Sequence, residues 1–139
     1  MQAKTKISVL LLAHNDEKSI EKSVKNVLGQ TYRNLEFIIC ANGCTDNTIH
    51  LIGKTIAKNV VDVYFTALPV QNKSKAIKWM WQIASGDFIL IKEVNDNWEQ
   101  NMVENQVNLF HRYGTAGTLI KHIPLPDDLR QFEFDTTNF

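Results

Sequence analysis

The sequence predicts an α/β fold: an open, mostly parallel sheet with helices on both faces, within a single domain spanning residues 1–139. Three observations predict it. Short apolar and β-branched runs alternate along the chain with segments whose apolar residues recur at helical spacing, the order that βαβ units require. The first run, residues 6–13, is nearly continuously apolar, so the strand is covered on both sides, as in a parallel sheet. Apolar residues make up 44% and charged residues 22% of the chain, the balance of a globular domain able to bury a core. Fifteen basic and fifteen acidic residues cancel, which excludes the strong general field of a nucleic-acid or membrane-surface binder.

The elements follow in order. After the first strand, Asn15 is placed to cap a helix over about 16–28, with Ile20, Val24, Val27 and Leu28 on one face and Gly29 at its end. Leu35 to Cys40 reads as the second strand. Asp46 then caps a helix over about 47–58, carrying Ile49, Ile52 and Ile56. Val60 to Phe65 is a β-branched and aromatic third strand. A third helix starts at Asn72 or Ser74, with Ile77, Met80, Trp81 and Ala84 sharing a face. Trp79 and Trp81 lie about 200° apart around it, so one is expected in the core and the other partly exposed. Ser85-Gly86 breaks this helix before a fourth strand, 87–91. A polar loop, 92–97, precedes a helix over about 98–113 that Gly114 closes. Residues 118–123 form a last strand.

Lys4 and Lys6 before an apolar run imitate a signal peptide, but no small-residue cleavage site follows. No segment approaches the ~20 apolar residues of a membrane span. Cys40 and Cys44 sit too close together to staple a fold, which fits a reducing, cytoplasmic compartment. With His50 they also imitate a zinc site, although no fourth ligand is evident and a buried strand thiol beside a loop thiol is the simpler reading. In open α/β sheets ligands bind beyond the carboxyl ends of the strands, so the loops 13–17, 41–46 and 92–97 converge on one candidate site.

Four motifs in these segments carry a resemblance. Leu12-Ala13-His14-Asn15-Asp16-Glu17 ends the first strand. Asn26-Val27-Leu28-Gly29-Gln30-Thr31-Tyr32-Arg33-Asn34-Leu35-Glu36 joins helix to strand. Asn42-Gly43-Cys44-Thr45-Asp46-Asn47-Thr48 follows the second strand, and Ala84-Ser85-Gly86-Asp87-Phe88-Ile89 introduces the fourth. In this order and spacing, over residues 6–104, the chain resembles the nucleotide-binding half of a family 2 glycosyltransferase with the Rossmann-like GT-A fold. Residues 105–139 supply a terminal helix, strand and tail.

The resemblance implies transfer of a sugar from a nucleoside-diphosphate donor, with Mg²⁺ or Mn²⁺ stabilising charge on the leaving diphosphate. It places nucleotide-binding residues at His14, Asn15, Glu17 and Asn42, and metal ligands at Glu93, Asn95 and Asp96, because hard cations take oxygen ligands. Several positions depart from the family. Asn95 is a neutral amide where the family has a carboxylate. Ala41 stands where an Asp bonds the base, and His14 replaces a Tyr that packs on it. Trp79-Met80-Trp81 occupies a stretch where the family has small residues. About thirty-five residues follow Glu104, so the acceptor half and its general base, which an inverting displacement requires, are not visible. Asp127, Asp128, Glu133 and Asp135 carry no spacing that marks a base, and the catalytic residue stays unassigned. A catalytically inactive GT-A-like binding or assembly module is the alternative reading. An uncovered sheet edge, the tryptophans and the aromatic tail of Phe132, Phe134 and Phe139 predict a homo-oligomer, most simply a dimer, with residues from about Pro124 in its interface.

Overall fold

The computed structural model describes residues 5–57, 61–115 and 117–125. The tail aromatics and the four tail acids named above, with Val60, lie outside them. The most apolar run becomes β1 (Ile7–Ala13), at the centre of the sheet. It pairs in parallel with β2 (Leu35–Asn42) on one side, and β2 pairs in parallel with β3 (Asp62–Leu68). On its other side β1 pairs in parallel with β4 (Phe88–Lys92), to which a two-residue β5 (Ile120–Lys121) adds antiparallel. The order β3-β2-β1-β4-β5 reverses direction at β1, which places the switch point between β1 and β4.

Side-chain alternation divides the core. Ile7, Val9, Leu11 and Ala13 of β1, with Leu35, Phe37, Ile39 and Ala41 of β2, face one side. That side is covered by α1 (Ile20–Leu28), α2 (Thr48–Ile56) and α4 (Met102–Tyr113), through Ile20, Val24, Val27, Ile52, Val103 and Val107. Leu10, Ile38, Cys40 and Ile89 face the other side, where α3 (Lys73–Ile83) presents Ala76 and Met80. Each fully buried large side chain contributes roughly 1.5–3 kcal/mol, so β1 and β2, with no fully exposed position, anchor the domain.

The element types match expectation, but several boundaries move for identifiable reasons. Asn15 is not the cap of α1. Its φ of 49° makes it the tight corner after β1, and the Asp16 carbonyl accepts from Ser19 and Ile20 N–H in a separate turn before the helix begins. Asp46 does cap the start of α2, from one residue further back than a standard N-cap: its Oδ1 accepts from both N–H and hydroxyl of Thr48, at 2.9 and 2.6 Å. Asn72, not Ser74, caps α3, accepting from Lys75 N–H. The fourth helix starts at Met102 because Asn26 holds both backbone groups of Trp98 in a loop. Gly114 ends it at φ 75°. Ile49 and Ile77, expected inward, are 38% and 41% exposed. Trp79 and Trp81 are both half-buried against the second cluster, and Trp81 Nε1 donates to the Ile123 carbonyl.

A buried carboxylate ties the amino ends of three strands together. Glu36, 1% exposed, accepts from the Ser8 hydroxyl (2.5 Å) and from the N–H and hydroxyl of Ser85 (2.6 and 2.9 Å), and pairs with Lys6 at 3.3 Å. Ser8 Oγ in turn accepts from Gly86 N–H. Burial alone raises a carboxyl's pKa, but the hydrogen bonds from Ser8 and Ser85 and the Lys6 charge outweigh it and hold Glu36 below its ordinary value. Gly86 must be glycine, since a Cβ there would sit 2.6 Å from Ser8 Oγ and 2.7 Å from Ser8 N.

Two outcomes follow for stability. Urea denaturation of Glu36→Gln should show a loss of about 2–3 kcal/mol, and Gly86→Ala a loss of about 3 kcal/mol. Because folding depresses the Glu36 pKa, its contribution is present above the ordinary value of 4.5 and is lost as pH falls through the folded value. Wild-type stability should therefore drop below pH 4.5 more steeply than that of Glu36→Gln.

Candidate functional site

The carboxyl ends of β1 and β2 carry two loops stitched to each other. Asn15 Oδ1 accepts from Thr45 N–H at 2.7 Å and from Asp46 N–H at 3.3 Å. Glu17 N–H donates to Asp46 Oδ2, while Glu17 Oε2 accepts from Asn47 N–H. Asp16 N–H donates to Thr48 Oγ1, whose own proton goes to Asp46. Burial opposes ionisation of Asp46, but the Thr48 and Glu17 hydrogen bonds hold its pKa below the ordinary value. The β2 loop also leans on the segment after β3: Asn42 Oδ1 accepts from Asn72 N–H. Gly43 has φ 64°, and any side chain on it would run into the backbone of Gln71.

This web decides what each anticipated nucleotide-binding residue presents. Asn15 and Glu17 are exposed, but one oxygen of each is committed to the neighbouring loop. Asn42 is 2% exposed, with its amide oxygen turned to Asn72. His14 is exposed, and its Nδ1 lies 2.6 Å from the Asn42 carbonyl. A carbonyl only accepts, so Nδ1 carries a proton. The imidazole is thus fixed by β2 and offers its outer edge.

The loop after β4 is built around Lys92, which the sequence reading passed over. Its side chain is 1% exposed. Its Nζ donates to the Glu93 carbonyl at 2.7 Å and to the Asp96 carbonyl, and lies 5.4 Å from the Trp98 ring centroid. Burial lowers its pKa, against the raising effect of Asp96 and Glu93. The signal was available: Lys92 continues the inward phase of Phe88 and Leu90. The ammonium curls residues 93–96 into a turn, closed by Asp96 N–H donating to the Glu93 carbonyl. Glu93, Asn95 and Asp96 are all exposed on it, in two directions. Glu93 lines a groove of about 330 Å³ on the α3 side, with Leu12, Ile91 and Trp81. Asn95 and Asp96 line a cleft on the α1 side.

Both thiols are held towards their neutral form. Burial pushes Cys40 up to about 12, and Cys44, raised first by burial, is turned to the Ala13 carbonyl. Among the described residues no three His, Cys, Asp or Glu side chains cluster as a metal site.

The family model for glycosyl transferase family 2 matches residues 8–135. The chain belongs to this family. Among its relatives, a UDP-Glc:α-D-GlcNAc-diphosphoundecaprenol β-1,3-glucosyltransferase of Escherichia coli is 28% identical over 102 residues, 73% of this chain and 40% of that protein. The poly-β-1,6-N-acetyl-D-glucosamine synthase of Staphylococcus aureus is 30% identical over 103 residues, 71% of this chain and 25% of the synthase. The chain thus spans about two-fifths or less of the length of these relatives. A mannosyltransferase from Pyrobaculum calidifontis, solved with GDP-Man and Mn²⁺, superposes with a TM-score of 0.71 at 19% identity, over 76% of this chain and 32% of that one. TarS of S. aureus in complex with UDP-GlcNAc gives 0.70 at 18%, over 78% and 32%. These likenesses establish the GT-A fold. No described helix is long and apolar enough to cross a membrane.

Proposed function

We propose that this chain is the donor-binding half of a glycosyltransferase that transfers a sugar from a nucleoside diphosphate. The carrying observation is positional: the family's first, third and fourth motifs lead into the loops at the carboxyl ends of β1, β2 and β4, around one switch point. The nucleoside lies across the β1 and β2 loops, with the fixed His14 ring as its platform and polar edges from Asn15 and Glu17 beside it, while Asn42, buried and bonded to Asn72, shapes the β2 loop from beneath. The structural relatives that bind GDP-Man or UDP-GlcNAc support this reading.

The loop after β4 fits a hard divalent cation in chemistry, because Asp96 and Asn95 put a carboxylate and an amide oxygen on the same cleft, while Glu93 faces the groove on the other side and stands apart from that pair. Mg²⁺ or Mn²⁺ would be held chiefly through Asp96, with diphosphate oxygens completing the shell. Bound there, it would stabilise negative charge on the departing diphosphate. Lys92 does not replace it: the buried ammonium is spent on loop carbonyls and serves to aim Asp96. One observation favours the alternative of an inactive binding or assembly module, namely that Asn15, Glu17 and Asn42 are engaged in the frame. Two unpaired thiols fit a reducing, cytoplasmic setting.

Thermal-shift measurements with UDP, GDP and their sugars should show stabilisation that needs Mn²⁺, about 2.7 kcal/mol at a hundredfold the dissociation constant. Asp96→Ala should remove the Mn²⁺ dependence; Asp46→Ala should lower the melting temperature and keep it. No shift with any nucleotide at millimolar concentration selects the module reading.

We also propose self-association as a twofold dimer. β3 ends the described sheet with Tyr64 43% exposed, and Ile91 (45%), Val70 (75%) and Ile123 (66%) add apolar surface. Light scattering should give a dimer that dissociates when residues 124–139 are deleted. A monomer at high concentration, or a dimer indifferent to the deletion, contradicts it.

A further inference from the structure

Trp81 holds the last described stretch of the chain against the α3 side of the sheet. Its Nε1 donates to the Ile123 carbonyl at 2.8 Å, and its ring meets the His122 imidazole edge-on, 5.4 Å between centroids. His122 is pinned in turn through its N–H to the Asp87 carbonyl and its Nδ1 to the Gly86 carbonyl, each at 3.1 Å. The same Trp81 walls the groove of about 330 Å³, together with Ile77 and Met80 of α3 and Leu12 and Ile91 of the sheet. Ile77 and Ile91 are 41% and 45% exposed, and Ile123, bonded to Trp81, is 66% exposed. An apolar groove left this open calls for an occupant.

The chain itself supplies one of fitting chemistry. Fourteen residues, 126–139, follow the described Leu125. Pro124 and Pro126 keep the residues before them extended, so the chain departs from Trp81 without turning into a helix. In an extended segment the alternation Phe132-Glu133-Phe134-Asp135 puts two rings on one side and two acids on the other. Phe132 follows Ile123 by nine positions, a reach of up to about 30 Å, against about 16 Å for the whole of α3. Charge agrees as well. Residues 126–139 carry four acids and one arginine, whereas α3 carries Lys73, Lys75 and Lys78 and no acid. Lys73 lines the groove, and Glu93 is the one acid in its lining. We propose that residues 126–139 seat in this groove of their own chain, with Phe132 and Phe134 against Ile77, Ile91 and Trp81. The tether at Ile123 favours this segment over a free partner, because its docking is intramolecular. The seat depends on neither the donor reading nor the dimer.

NMR of the full chain with labelled isoleucine methyls and phenylalanine rings tests it. Wild type should show NOEs from the Phe132 and Phe134 rings to the methyls of Ile77 and Ile91. Phe132→Ala/Phe134→Ala should remove those NOEs and shift both methyls as the ring currents are lost. Ile20 and Ile52, buried on the opposite side of the sheet, should stay in place and report an intact fold. Ile77→Asp, at an exposed helix position, should release the segment and move the Ile91 methyl in the same direction. A mixture of isoleucine-labelled and phenylalanine-labelled chains identifies the occupant. NOEs confined to chains carrying both labels support the seat, and NOEs in the mixture assign the groove to a second copy and overturn it. Ile77 and Ile91 methyls indifferent to the phenylalanine substitutions overturn it too. None of these readouts needs a nucleotide, so failure of donor binding leaves them readable.

Discussion

The buried, ionised carboxylate of Glu36 is the constraint on which the rest of this structure depends. A charge taken out of water is tolerated only when its lone pairs are filled. Here two serines, a backbone N–H and a lysine fill them, and they come from β1, from the residue just before it and from the turn that launches β4. The requirement fixes the relative height of three strands at their amino ends. It also forces glycine at position 86, where the turn backbone crosses Ser8 without room for a side chain. With the strands locked there, their carboxyl ends emerge at set heights, and the functional loops inherit that registration.

At the carboxyl ends the logic changes from burial to cross-bonding. The β1 and β2 loops stitch their backbone N–H groups with Asn15, Glu17, Asp46 and Thr48, so their shape does not wait for a ligand. A preformed surface loses less conformational freedom on binding. It also has fewer side-chain groups left to offer, and this is the tension between a donor site and an inactive module. The loop after β4 resolves the same problem differently. The Lys92 ammonium, sealed beneath the loop, satisfies two of its carbonyls and leaves Asp96 outward and uncommitted. Of the three loops, this one keeps its carboxylates freest for chemistry.

Much of the fold was legible because its determinants are periodic. The apolar run of β1 and the i, i+4, i+7 face of α1 each reduce to spacing, and spacing is visible without a structure. What was not legible depends on pairs far apart in sequence. Asn15 looks like a helix cap locally, yet its side chain bonds Thr45 and Asp46 thirty residues away. Helix α4 starts late because Asn26 holds Trp98, a pairing that no window around either residue contains. The position of the candidate site followed from strand order alone. Its division did not: Glu93 and Asp96 are three residues apart and were read as one ligand set, but the turn imposed by Lys92 aims them into different clefts.

The central claim is that a rigid sheet, fixed at its Glu36 end, presents a nucleotide site at the opposite end of the strands. Amide-resolved NMR during titration with UDP or GDP and Mg²⁺ tests this most directly. The account predicts chemical-shift changes concentrated in residues 14–17, 42–47 and 93–97, with Ser8, Glu36, Ser85 and Gly86 unmoved. Changes centred on the Glu36 end, or spread evenly over the sheet, would contradict it.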